Sequence, residues 1–182
     1  MKNIRMIAMG LLWAASLPAA DWTAPVEVRH DEKLVMTYRA QWDGEFLLVR
    51  GTIQPGWHTF VMDNKERQQE RLKGKPSLGI EKSTEVTVVD GLTITGPWMQ
   101  SQPKDFSKPE LRWFTWGFEN DAVFAAKARP KGPGPAHVEV RGQACAADIC
   151  KNIEVTLAVP LTAKKLASDV NVKSLTPVRQ AN

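Results

Sequence analysis

Residues 153–159 read IEVTLAV, with Ile153, Val155, Leu157 and Val159 alternating against Glu154, Thr156 and Ala158. Side chains two apart share one face of an extended strand, so this segment presents one apolar face and one polar face. The same period recurs upstream. KLVMTYRA (33–40) sets Leu34, Met36 and Tyr38 against Lys33, Thr37 and Arg39. EFLLVRGTI (45–53) sets Leu47, Val49, Gly51 and Ile53 against Phe46, Leu48, Arg50 and Thr52. Further strands are expected over 85–89, 92–95, 111–118, 122–128 and 136–141. Turn signals separate them: Asp43-Gly44, Pro55-Gly56, Asp90-Gly91, Gly96-Pro97 and PKGPGP (130–135). About eight short strands with this punctuation predict an all-β antiparallel sandwich. Strands do not alternate with long helical patterns, which disfavours a doubly wound sheet or a thioredoxin fold.

Two segments break the rhythm. Residues 62–84 are polar and are expected to form a loop with one helical turn; within them KERQQERLKGK (65–75) mixes both signs of charge and reads as a solvated surface. Residues 162–182 carry few apolar side chains and are expected to be a mobile tail.

The chain begins MKNIRMIAMGLLWAASLPAADW. A positive start at Lys2 and Arg5, an apolar run from Met6 to Leu17 and the small-residue exit Pro18-Ala19-Ala20 form the three parts of a secretory signal peptide. The run is too short to span a bilayer. Cleavage is expected after Ala19 or Ala20, placing the sandwich domain at 21–161 in the periplasm or outside the cell, with no transmembrane segment in the mature chain. Of the formal net charge of +4, the leader's Lys2 and Arg5 account for two units. The small remainder, with no basic cluster interleaved with aromatics, argues against nucleic acid as a partner.

The chain has two cysteines, Cys145 and Cys150, in GQACAADICKN (142–152). In an oxidising compartment such a pair persists as a disulfide. Closing so short a loop stabilises a fold by roughly 2 kcal/mol in the chain-entropy model. A sandwich of this size has its own core and does not need that help. The spacing by itself leaves a structural staple and a redox couple equally open. A metal site built from Cys145, Cys150, His58 and His137 lacks the paired ligand spacing of zinc sites. No Ser–His–acid grouping, phosphate loop or cofactor motif is present.

Several landmarks together resemble the amino-terminal periplasmic domain of DsbD, the thiol:disulfide interchange protein. They are PGWHTF (55–60), PWMQSQPKDFSKPELRWFTW (97–116) and VEVRGQACAADICKNIEVTLAVPL (138–161). The resemblance covers roughly Val26 to Leu161 and implies an immunoglobulin-like sandwich with a cysteine-bearing loop and a cap loop. It also implies that Cys145 and Cys150 cycle between dithiol and disulfide, with Cys150 exchanging and Cys145 resolving. By position, Phe106 matches the aromatic that caps the pair and Asp105 an acidic neighbour that tunes it. No cofactor or metal is implied. The expected donor is a thioredoxin-like or membrane disulfide reductase, and the expected acceptors are oxidised periplasmic proteins. The chain departs from the family in its short cysteine loop and in Lys151-Asn152 after it. It also includes neither the membrane electron-transfer region nor the thioredoxin-like domain, so electrons are expected from a separate protein.

The competing expectation is a non-catalytic immunoglobulin-like binding module with a structural disulfide. Trp113 and Trp116, three apart in one expected strand, would leave one ring free for a partner.

Overall fold

The computed structural model describes residues 22–73, 75, 79, 81–161 and 169–180. The expected leader, residues 1–20, lies outside them. In chain order the first elements are β1 (Val26–His30), β2 (Lys33–Trp42), β3 (Phe46–Ile53), β4 (His58–Phe60), α1 (Asn64–Leu72), β5 (Glu85–Asp90) and β6 (Leu92–Ile94). There follow β7 (Met99–Gln100), β8 (Lys104–Asp105), β9 (Trp116–Phe118), β10 (Asp121–Pro130), β11 (Ala136–Cys145), β12 (Cys150–Val159) and β13 (Thr176–Pro177). All pairings are antiparallel. One sheet runs β1-β2-β3-β10-β7-β13, with β6 also on β10. The other runs β12-β11-β4-β9-β8, with β5 also on β11. The expected all-β antiparallel sandwich is the observed architecture.

Local chemistry sets the hairpins. Between β2 and β3, the Asp43 carboxylate accepts from the backbone N–H groups of Glu45 (2.9 Å) and Phe46 (2.7 Å), while Gly44 takes φ +99°. That is an aspartate turn closed by a residue free to adopt positive φ. The β11–β12 hairpin pairs without a register shift from Ala136↔Val159 to Cys145↔Cys150. In β12, Ile153, Val155, Leu157 and Val159 are buried and the residues between them exposed, as the period requires. They meet Val28, Met36, Tyr38, Val49 and Phe124 of the facing sheet in one core.

Four features differ from the expectation. Residues 111–118 do not form one strand. Pro109 opens a 3-10 turn over Pro109–Leu111, Arg112 takes φ +51°, and the chain reverses, leaving only Trp116–Phe118 as strand. Trp113 and Trp116 therefore do not share a strand. The polar stretch contains a nine-residue helix instead of a single turn. Its ERQQER core consists of good helix formers, with Glu66 in the first turn and Arg71 in the last to suit the helix dipole. Short strands β4, β7, β8 and β13, and the bulged β1, carried too little periodicity to be seen. Finally, beyond residues 162–168, which lie outside the described set, the expected mobile tail includes β13, and Val178 N–H donates to Trp98 O at 2.9 Å.

Candidate functional site

The two cysteines are the terminal pair of the β11–β12 hairpin. Ala146 N–H donates to Ile149 O at 2.8 Å, which closes a two-residue turn at Ala147-Asp148 and brings the Cys145 and Cys150 Cα atoms to 4.0 Å. They form a disulfide. The sulfurs are unequal in access. Cys145 is 5% exposed, whereas Cys150 lies in the exposed hairpin tip beside Ile149, itself 41% exposed.

Strand alternation decides what shares their face. Cys145 pairs with His58 on β4, and Phe60 pairs with Gly117 on β9, which in turn pairs with Lys104 on β8. Cys145, Cys150, His58, Phe60, Lys104 and Phe106 thus lie on one face, while Ala144, Thr59 and Phe118 face the core. His58 sits between the disulfide and the expected cap. Its ring packs edge-on to Phe60 at 5.3 Å and stacks on Phe106 at 4.8 Å between centroids. Burial holds the imidazole pKa below its ordinary value; Lys104 adds to that effect and Glu119 opposes it. The ring is therefore neutral at neutral pH. Lys104 Nζ lies 5.2 Å from the centroid of the Phe106 ring.

Phe106 reaches His58 because β9 offers no side chain between them. A Cβ at Gly117 would stand 3.3 Å from Phe106 Cε2 and only 2.0 Å from the Thr59 carbonyl oxygen. Gly117→Ala is therefore expected to push β9 from β4 and lift the Phe106 ring. The expected cost is about 1–3 kcal/mol in urea unfolding. An unchanged midpoint would contradict this packing.

Asp105 points the other way. It pairs with Trp116 and lines a small cavity with Arg67, Glu70, Arg71, Trp116 and Arg179, and its carboxylate accepts from Ser107 N–H at 2.8 Å. Alternation separates it from Phe106, so the structure does not bring Asp105 to the cysteine face. The cap loop is instead held at its base. Asn64 at the start of α1 accepts from Trp116 N–H (3.0 Å) and donates to Thr115 Oγ1 (3.1 Å). Glu81 accepts from Trp113 Nε1 at 3.0 Å, and Lys108 and Trp113 exchange backbone bonds around the turn. Immediately before Asn64, the fully buried Asp63 carboxylate accepts from Arg67 Nε, Gln100 Nε2 and Arg179 N–H.

Of the four residues singled out from sequence, Cys145, Cys150 and Phe106 share the site and Asp105 does not. In the sequence His58 stands out only as a metal-ligand candidate and a landmark in PGWHTF. Its place between sulfur and cap depends on β4 docking against β11, a contact between segments 87 residues apart in register terms of His58↔Cys145, which no local pattern announces.

No known family profile matches the chain, and no curated protein matches it. Among solved structures it is similar to the N-terminal periplasmic domain of ScsB from Proteus mirabilis, at 14% identity and a TM-score of 0.52. That match covers 76% of this chain and 50% of the other, so the chain spans about half the length of that structure. The Neisseria meningitidis DsbD N-terminal domain in its reduced form aligns at 9% identity over 68% of this chain and 85% of the other, with a TM-score of 0.37. The likeness to the ScsB domain is one of fold.

Proposed function

We propose that the chain is an exported thiol–disulfide carrier. It takes electrons from a thioredoxin-like or membrane disulfide reductase and delivers them to oxidised exported proteins. The observation that carries this reading is the unequal access of the two sulfurs, one exposed at a hairpin tip and the other buried on the His58 side. A staple needs no such asymmetry; a carrier does.

A thiolate displaces along the axis of the bond it breaks. Attack on Cys150 Sγ comes from the side away from Cys145, over the outer edge of β12. Attack on Cys145 Sγ would have to come from the β4 side, where His58 stands with Phe106 stacked on it. The donor thiolate therefore bonds to Cys150 Sγ, the Cys145–Cys150 bond breaks, and Cys145 leaves as a thiolate that takes up a proton. The donor's second thiolate then attacks the donor sulfur of this mixed disulfide and releases Cys150. The donor is oxidised and the pair reduced by two electrons. Delivery runs in reverse: Cys150 thiolate attacks an acceptor disulfide, and Cys145 resolves the adduct. Burial of Cys145 keeps it from stray exchange, while Cys150 is open to partners.

The signal-like leader supports a location outside the cytoplasm, as does the periplasmic origin of the ScsB domain whose fold it resembles. Among the described residues no helix is long and apolar enough to cross a membrane.

Equilibration in glutathione buffers tests the reading. A carrier pair titrates with a potential above about −300 mV and is reduced by a thioredoxin-like protein; a lower value identifies a staple.

A further inference from the structure

The disulfide stands at the end of a sheet edge. Among the described residues β12 pairs only with β11, and its ten residues run without a bulge or proline. Long regular edges are normally blunted, because their unpaired N–H and C=O groups recruit other strands. The direction of those groups follows from the turn. Ala146 and Ile149 face each other as a hydrogen-bonded pair, so by antiparallel alternation Cys145 and Cys150 form a non-hydrogen-bonded pair. Cys145 turns its backbone groups toward β4. Cys150, Asn152 and Glu154 turn theirs outward, and all three side chains are exposed.

We infer that the exchange partner binds as an added strand: an extended, cysteine-bearing polypeptide segment pairs along the free edge of β12 from Cys150 to Glu154. This rests on the reading of Cys150 as the exchanging sulfur. Three features converge on that occupant. The incoming sulfur must approach Cys150 Sγ from the side opposite Cys145, which is the side of the free edge. A residue placed opposite Cys150 in a hydrogen-bonded antiparallel pair has its Cα about 5.5 Å away, within the roughly 4.4–6.8 Å that a disulfide spans. The added strand thus sets the partner cysteine on the far side of Cys150 from Cys145, in line for displacement. Ile149, exposed at the turn, offers an apolar contact where the strand begins. Main-chain pairing supplies affinity without demanding a particular sequence, as in other cases of strand addition. A carrier that serves several partners needs that tolerance.

The test uses the Cys145→Ser chain joined through Cys150 to a synthetic heptapeptide, with a central cysteine flanked by valine and threonine, from its activated mixed disulfide. In the adduct the amides of Cys150, Asn152 and Glu154 should exchange hydrogen at least about tenfold more slowly, while Lys151 and Ile153, already bonded to β11, do not change. A peptide of the same sequence, N-methylated at the cysteine and at alternate residues, should give no protection. As a free thiol it should reduce the wild-type disulfide about tenfold more slowly than the parent peptide. Equal rates with unprotected edge amides overturn the inference. So does protection of the same amides in the free chain that grows with its concentration, since a second copy then occupies the edge. The adduct is made chemically, so a disulfide that no thioredoxin-like protein reduces would sink the carrier reading without deciding the edge result.

Discussion

A Cys145→Ser variant mixed with an oxidised acceptor accumulates a covalent adduct through Cys150, whereas Cys150→Ser accumulates none and loses exchange entirely. The expectation follows from two facts of position: Cys150 is exposed at the hairpin tip, and Cys145 is 5% exposed on the side of His58. Removing Cys145 removes the resolving thiol, so the mixed disulfide has no internal route to release. Removing Cys150 leaves one thiol that large partners cannot reach. Mass analysis of non-reduced samples reads the outcome, and equal trapping by both variants would refute the assigned roles. Phe106→Ala should then raise the rate at which the Cys145 thiol of the Cys150→Ser chain attacks a small aromatic disulfide, forming a mixed disulfide and releasing the aromatic thiolate. The stacked ring, together with His58, closes the approach from the β4 side. Because Phe106 lies one ring beyond Cys145, His58→Ala should raise that rate further.

The second large effect is on stability and acts away from the sulfurs. Asp63→Ala is expected to cost about 3 kcal/mol, because it strands the Arg67 guanidinium and leaves Gln100 and Arg179 N–H without their acceptor. For a chain of this size that corresponds to a fall in Tm of about 10 °C. Burial by itself would raise the Asp63 pKa, but hydrogen bonds from Arg67, Arg179 and Gln100 outweigh it and hold the carboxyl below its ordinary value. A depressed folded pKa means that this carboxylate's contribution is complete above its ordinary value of 3.8 and is lost as pH falls through the lower folded value. Asp63→Asn should flatten that acid limb, and a limb of unchanged slope would show that other carboxylates carry it. Asp63 directly precedes Asn64, which holds the base of the cap through Thr115 and Trp116. Asp63→Ala should therefore also loosen the cap and accelerate small-thiol access to the disulfide.

These two results test different parts of the molecule with different degrees of legibility. The cores of β11 and β12 are legible, since 136–141 and IEVTLAV alternate cleanly; their extension to Cys145 and Cys150 is not, since 142–152 carries no apolar alternation and reads as a loop. Nor is the cap segment. Leu111 to Phe118 is rich in residues suited to strands, yet Pro109 starts a 3-10 turn and Arg112 takes a left-handed conformation that reverses the chain. The family resemblance implies an acidic neighbour of the sulfurs at Asp105, directly before Phe106. In a strand, adjacency places two side chains on opposite faces, and that geometry sends Asp105 to the Arg67 and Trp116 side. The Asp63 network was illegible for another reason. Its members come from α1, β7 and the segment after β13, and polar residues far apart in sequence carry no shared period.

Consecutive residues suffice for the faces of the longer strands, the turn signals between them and the all-β class, whereas the pairing of Cys145 with Cys150 across a two-residue turn is seen only in the folded chain. Period and turn chemistry are properties of a few consecutive residues, so they survive in the primary structure. The tertiary structure alone decided which sulfur is reachable. That depends on β4 docking beside β11 while β12 stays at the edge, and on Gly117 leaving room for Phe106 to cross to His58. Sheet order is settled by burial of faces contributed from across the chain, and so the distinction between the buried and the exposed cysteine exists only once the sandwich has closed.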